Sequence, residues 1–338
     1  MRAAAFTGFG SPEHVTIESF DDPEPGPEEA VLEVEACSIN HHDLWILNGD
    51  FRVDEEDLPY VAGMDVAGTV SAVGDDVEGV KVGERVLLCP NQTCGSCRFC
   101  REGPESYCER FSLYHGGLAE YATVRADRLI PLSDAVEPAD AAALPVSYMT
   151  AFRMLDEAEV GPGDLIFVPG ATGGVGVATV QLADILGART IGTSTSREKL
   201  DRLEAFGADH VVESGNPDTI RDAVLEVGRV DATINHLGGP FSEVGLNVLR
   251  RGGRMVICGQ TAGPTSTLTL GDLFLNQKRV IGSTMGTQRD LERLVDLVEN
   301  GRLEPVVHER YPLAETDRAF ADMADRETVG KLVVEPGR

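Results

Sequence analysis

The chain has 338 residues and carries 29 Lys+Arg against 56 Asp+Glu, a formal net charge of −27. Such a surface repels duplex DNA and anionic membranes, where Lys/Arg neutralisation of phosphate supplies most of the affinity. No apolar run approaches the roughly 20 residues that span a bilayer, and 42 % hydrophobic residues with 37 Gly and 18 Pro suit a globular protein of about two domains.

The first part, to about Pro145, reads as short strands broken by Gly, Pro and Asp: Val31–Ala36, Gly68–Gly74 and Val82–Leu88 alternate or run apolar over strand lengths. After Pro145 strands alternate with helices. The strand Leu165–Val168 leads into a Gly-rich turn, a helix Val175–Leu186 stopped by Gly187, and a second strand Thr190–Thr193. Helix Glu198–Phe206, strand His210–Val212, helix Asp218–Val227 and strand Val230–Ile234 repeat the scheme, and Arg254–Cys258 and Arg279–Ser283 read as further strands. This alternation predicts a doubly wound parallel sheet. The tail offers an amphipathic helix Asp290–Glu299 and a strand Lys331–Glu335, too little for a core of its own, so it is expected to fold back on the first domain.

The basic residues are almost all arginine: Lys81, Lys199, Lys278 and Lys331 are the only lysines. The acidity fits either a solvated acidic face or adaptation to molar salt, where screening removes carboxylate repulsion; the scarcity of lysine favours a halophilic protein. The first residues have no long apolar signal core, and four of seven cysteines fall within Cys94–Cys108, so a cytoplasmic protein without a disulfide framework is expected.

Two motifs carry chemistry. Gly170-Ala-Thr-Gly-Gly-Val-Gly176 lies between a predicted strand and helix, where glycines let backbone approach a pyrophosphate and the helix start offers free N–H groups. Ala171, Thr172, Gly173, Gly174, Val175 and Gly176 are therefore the candidate dinucleotide cradle, with Ala171 in the first glycine position of the fingerprint. At the end of the second strand, Gly192-Thr-Ser-Thr-Ser-Arg-Glu-Lys199 has no acid at residues 193–196 to meet ribose hydroxyls. Ser194, Arg197 and Lys199, with Ser196, offer donors to a 2′-phosphate instead, so NADP(H) is the expected cofactor. Against this, Arg197 and Lys199 could be first-turn residues paired with Asp201 and Glu198. The second motif, Cys94-x2-Cys97-x2-Cys100-x7-Cys108, supplies four thiols at spacings that reach a tetrahedral Zn2+, predicting one structural zinc per chain in the lobe 94–108. Cys37, Cys89 and Cys258 read as core thiols.

In order, Leu58-Pro-Tyr-Val-Ala-Gly-Met-Asp-Val-Ala-Gly-Thr-Val70, Val80-Lys-Val-Gly-Glu-Arg-Val86, the four-cysteine lobe, Gly117-Leu-Ala-Glu-Tyr-Ala122 and Gly170–Gly176 resemble the medium-chain dehydrogenase/reductase superfamily over nearly the whole chain. The resemblance implies an α/β architecture: a GroES-like β-rich catalytic domain (1–146 with 285–338), a Rossmann dinucleotide-binding domain (147–284), and an active site in the cleft between them. It also implies a homodimer or homotetramer acting on a small-molecule substrate.

The chain departs from the zinc alcohol dehydrogenase branch where that branch binds its catalytic metal. Aligned on Asp43, Asn40 stands at the expected cysteine, Met64 at the histidine and Val146 near the third ligand, and neither carboxamide, thioether nor isopropyl group replaces those donors for Zn2+. Hydride delivery to an activated C=C or a quinone can proceed with hydrogen-bond donors alone, whereas alcohol oxidation needs its alkoxide stabilised. The expected activity is thus NADPH-dependent reduction of a quinone, enone or other activated alkene without catalytic zinc. A zinc alcohol dehydrogenase with atypical ligands and a non-catalytic NADPH-binding protein are the alternatives. Asn40 is the candidate donor to the developing enolate, His42 the candidate acid, Trp45 a residue that packs the core or walls the pocket, and Thr150, beside Tyr148, a residue at the nicotinamide ribose. His41 and His42 could instead cap a helix beginning at Asp43, and Asp43 and Asp65 read as structural acceptors.

Overall fold

The computed structural model describes every residue except Arg52. Its backbone divides into two units, residues Met1–Val146 with Thr287–Arg338 and residues Ser147–Gly286.

In the first unit the ten-residue strand Glu29–Ser38 is central. It pairs antiparallel with Asp65–Val73, Tyr121–Arg125 and Lys331–Glu335, the last through Val333 opposite Ser38 and Val334 opposite Cys37. Two register shifts, at Val31/Leu32 and Val34/Ala36, bend the strand as bulges do. Its inward residues Leu32, Val34 and Cys37 join Phe6, Ile46, Leu88 and Phe320 in one core, where the Phe6 and Phe320 rings meet edge-to-face at 5.4 Å. The strand expected over Val82–Leu88 begins only at Arg85, because Gly83 turns the chain at φ +89° and Val82 faces solvent. The helix expected over Asp290–Glu299 starts two residues earlier, at Gln288. Thr287 caps it by accepting from the Asp290 N–H, while the Asp290 carboxylate accepts from the Thr287 N–H.

The helix that the sequence starts at Asp43 runs from His41 to Leu47. Asn40 is its N-cap residue, so His41 and His42 occupy the first turn and cap nothing. The Asp43 carboxylate accepts from the Asn40 N–H at 2.8 Å and reaches across to the Gly63 N–H at 3.1 Å.

The second unit is a six-stranded, wholly parallel sheet in the order His210–Glu213, Arg189–Ser194, Leu165–Val168, Val230–Asn235, Leu249–Ile257, Arg279–Gly282. The chain winds outward in both directions from Leu165–Val168, which creates the switch point where open α/β sheets bind ligands. Phe167, Ile191, Val224, Leu246 and Met255 fill the layer between sheet and helices. At the far edge, the helix Leu270–Leu275 leaves Leu270, Phe274 and Leu275 exposed by 70 %, 68 % and 64 %. No helix is long and apolar enough to cross a membrane among the described residues.

Candidate functional site

In the parallel-sheet unit, the switch-point turn has the shape of a phosphate cradle. Gly170 adopts φ +64°, and the helix Gly174–Leu186 starts with no side-chain cap on its first turn. A Cβ at Gly173 would meet nothing within 4 Å, while one at Gly176 would lie 2.6 Å from the Ala171 backbone. The first glycine keeps space open for a ligand, and the second lets helix and turn pack closely. Ala171 and Thr172 are buried, and Val175 lies half-buried on the first turn. The residues present therefore fit a dinucleotide pyrophosphate.

The end of the second strand sorts the proposed 2′-phosphate donors. The Ser194 hydroxyl lies 3.4 Å from that of Thr172, and Ser196 caps the next helix by accepting from the Lys199 N–H. Arg197 points along its own helix, paired with Asp201 at 2.7 Å and Glu204 at 3.0 Å. For Arg197 the plainer alternative thus describes the geometry, which leaves the Thr172 and Ser194 hydroxyls together at the strand end. Thr150 is buried in the helix Met149–Glu157, its hydroxyl 3.8 Å from the Met285 sulfur, and the Tyr148 hydroxyl donates to Gln181 at 2.7 Å.

The other unit holds a closed polar cluster at the candidate donor. The Asp65 carboxylate, fully buried, accepts from the Ser38 hydroxyl at 2.8 Å, Asn40 Nδ2 at 2.9 Å, the Val146 N–H at 3.1 Å and Lys331 Nζ at 3.3 Å. Lys331 Nζ also donates to the Ile39 carbonyl at 2.9 Å and to Asn40 Oδ1. The side chain of Asn40 and the backbone of Val146, two of the three positions that depart from the zinc alcohol dehydrogenase pattern, are thus bound to a carboxylate that an ammonium neutralises. The third, Met64, is fully buried. Asp43, wholly buried beside this cluster, has its pKa pushed up to about 7 by desolvation, against the pull of its two backbone N–H donors.

His42 belongs to an aromatic group. Its ring stacks on His115 at 5.2 Å, meets Phe51 edge-on at 4.4 Å and lies 6.4 Å from Trp45, which in turn stacks on Phe51 at 6.3 Å. Tyr60 lies 5.8 Å from His115. Trp45 is half-buried within this group. Burial lowers the pKa of His42, and takes that of His115 down to about 4. The Nδ1 atoms of both rings are buried without a partner. Burial favours the uncharged form of the His42 ring, the candidate acid.

The four cysteines of the lobe bring their sulfurs within 4.8 Å of one another, with Cys97 to Cys100 at 3.5 Å and Cys94 to Cys100 at 3.8 Å. A tetrahedron with Zn–S bonds of about 2.3 Å has edges of about 3.8 Å, so the donor set fits Zn2+. Arg128, itself buried, pairs with Glu105 at 2.9 Å and braces the lobe. Among the described residues this is the one cluster of three or more His, Cys, Asp or Glu side chains placed to hold a metal.

Residues 26–134 match the family "Alcohol dehydrogenase GroES-like domain", and residues 174–300 match "Zinc-binding dehydrogenase". A solved NAD-dependent alcohol dehydrogenase is 34 % identical, with 99 % of each chain covered and a TM-score of 0.92. The chain belongs to the medium-chain dehydrogenase/reductase superfamily. It is an α/β protein with a GroES-like domain and a Rossmann-type sheet. An acryloyl-coenzyme A reductase of Sulfurisphaera tokodaii is 29 % identical over 326 residues, 95 % of this chain and 96 % of the relative. A 2-octenoyl-CoA carboxylase reductase, solved with NADP and 2-octenoyl-CoA, is 25 % identical with a TM-score of 0.87, covering 96 % of this chain and 82 % of that one.

Two site residues escaped the sequence reading. His115 had a weak signal in Tyr114-His-Gly-Gly117, which gave no reason to bring it to His42. Lys331 had a stronger one, a lysine opening an apolar strand in a chain with three others.

Proposed function

We propose that this superfamily member reduces a carbon–carbon double bond conjugated to a carbonyl, with NADPH as hydride donor and no catalytic zinc. The carrying observation is the Asn40–Asp65–Lys331 cluster: Asn40, at the position of an expected metal ligand, is held by hydrogen bonds to Asp65 and Lys331, and what it presents is an amide donor. When bound, NADPH supplies the hydride to the carbon distal to the carbonyl, and the alkene's electron pair moves toward the carbonyl oxygen. Asn40 Nδ2 and the neutral His42 Nε2–H donate to that oxygen as its charge grows, and the proximal carbon then takes a proton from water. Phe51, Trp45 and the stacked imidazoles offer flat apolar walls to a conjugated substrate. The similarity to reductases named for acryloyl-CoA and 2-octenoyl-CoA favours an enoyl thioester over a quinone.

The dinucleotide is assigned to residues Ala171–Gly176. Ser194, Thr172 and Lys199 receive the 2′-phosphate, a position where a carboxylate would repel it. One Zn2+ closes the Cys94–Cys97–Cys100–Cys108 lobe as a structural ion. A homodimer covers Leu270, Phe274 and Leu275 beside the edge strand Arg279–Gly282, because a patch of that kind is otherwise a liability; replacing Leu270 and Phe274 by Glu is expected to halve the mass seen by light scattering.

The decisive assay follows NADPH and NADH oxidation with crotonyl and acryloyl thioesters, enones and quinones, in low and molar KCl. Faster turnover of an enoyl substrate with NADPH, insensitive to chelators, is expected. The similarity to a solved alcohol dehydrogenase favours a second reading, and alcohol-dependent reduction of NAD+ that chelators abolish would establish it instead.

A further inference from the structure

We propose that Lys331 is a positioning residue that orients and polarises the Asn40 carboxamide, so that a resident ammonium serves as the fixed cation of the site. The inference rests on the reading of the chain as an alkene reductase.

Lys331 is 4 % exposed, and its ammonium has three partners: the Ile39 carbonyl, Asn40 Oδ1 and Asp65 Oδ2. An ammonium without partners could not remain charged at such a depth. The pairing fixes which way Asn40 lies. With its oxygen toward the ammonium and its nitrogen toward the carboxylate every contact is a donor meeting an acceptor, whereas the flipped amide would oppose two donors and two acceptors.

That orientation decides what Asn40 can do. Its oxygen is spent on Lys331, one of its two Nδ2–H groups is spent on Asp65, and the second has no acceptor among the described residues. The charge drawn toward the amide oxygen by the ammonium leaves nitrogen more positive, which strengthens this remaining N–H toward a developing enolate. Remove the cation and the amide loses both its fixed rotamer and its polarisation.

Lysine is what the geometry requires. Basic positions in this chain are arginine almost throughout, yet Lys331 and Lys278 are buried. A compact ammonium directs N–H groups to three acceptors on different sides, and a planar guanidinium fork does not.

The test compares wild type with Lys331→Met and with the charge-balanced Lys331→Met/Asp65→Asn. Acceptors of rising intrinsic reactivity are used: a crotonyl thioester, methyl vinyl ketone and N-ethylmaleimide. Loss of one oxyanion donor costs about 10²- to 10³-fold in kcat, so a loss approaching that range is expected for the thioester. The loss should be smaller for the ketone and smallest for the maleimide, whose alkene needs least help. The Kd for NADPH, read by fluorescence, is expected to be unchanged, and the double variant to recover melting temperature without recovering kcat. Wild-type kcat in the double variant, or an equal loss across the three acceptors, overturns the proposal while the alkene-reductase reading stands. A wild-type chain inactive with all three overturns that reading and the proposal with it.

Discussion

Two alanine substitutions in the glycine turn separate its packing role from its ligand role. In Gly176→Ala the new Cβ lies 2.6 Å from the Cα and carbonyl carbon of Ala171. Carbon contacts are best near about 3.5 Å, so the helix start must retreat by about 1 Å, and overpacking of this kind costs about 1–3 kcal/mol. The same retreat draws the first-turn N–H groups off a pyrophosphate. Each lost charge-assisted bond is worth about 1.5–3 kcal/mol, or roughly 10- to 100-fold in Kd. In Gly173→Ala the backbone is already extended, at φ −76° and ψ 175°, and no atom lies within 4 Å of the added methyl. The fold should not notice it, yet the methyl stands where the phosphates approach. Thermal melts and NADPH fluorescence titrations check both variants: Gly176→Ala loses stability and affinity together, and Gly173→Ala loses affinity alone, by about tenfold or more. Wild-type NADPH affinity in Gly173→Ala would show that the dinucleotide does not lie on this turn.

The buried carboxyl of Asp43, with a pKa near 7 against an ordinary 3.8, binds its proton more tightly folded than unfolded. Its contribution to stability is full below about 3.8 and is lost as pH rises through about 7, by an amount on the order of a few kcal/mol. Urea melts should therefore show the wild-type curve falling more steeply than that of Asp43→Asn over this window, and parallel curves would refute the assignment. Imidazole NMR is expected to give His42 a midpoint below 6.5 and His115 one near 4; a midpoint for His42 at or above 6.5 would refute the role of burial in setting its charge. Metal analysis should give about one zinc per chain, with Cys100→Ser losing both the ion and thermal stability, and two per chain would mean a second site.

Local signals carried most of the fold. The strand and helix alternation after Pro145 and the stop at Gly187 depend on residues close in sequence, and so did the four-cysteine lobe and the glycine turn. The helices Met149–Glu157 and Pro240–Val248 went unread. Asn40 and His42 are candidates by their place in a motif, whereas what they touch is not legible in it. The stack of His42 on His115 joins residues 73 apart, and desolvation, which decides the charge of both rings, is a property of packing that spacing does not reveal. The scarcity of lysine is visible in the composition, whereas the partners of Lys331 are 266 and 291 residues distant.

That separation bears on how the protein is made. Asp65 and Asn40 leave the ribosome early, and at about 5–20 residues per second the ammonium that pairs with both follows tens of seconds later. Until then the first unit lacks the strand Lys331–Glu335 as well as its charge, so a nascent chain has reason to leave this region open. The parallel-sheet unit, contiguous from Ser147 to Gly286, has all its strands before the first unit has its last, and a ribosome-stalled chain ending before residue 331 should contain a finished parallel-sheet unit and an unfinished first unit.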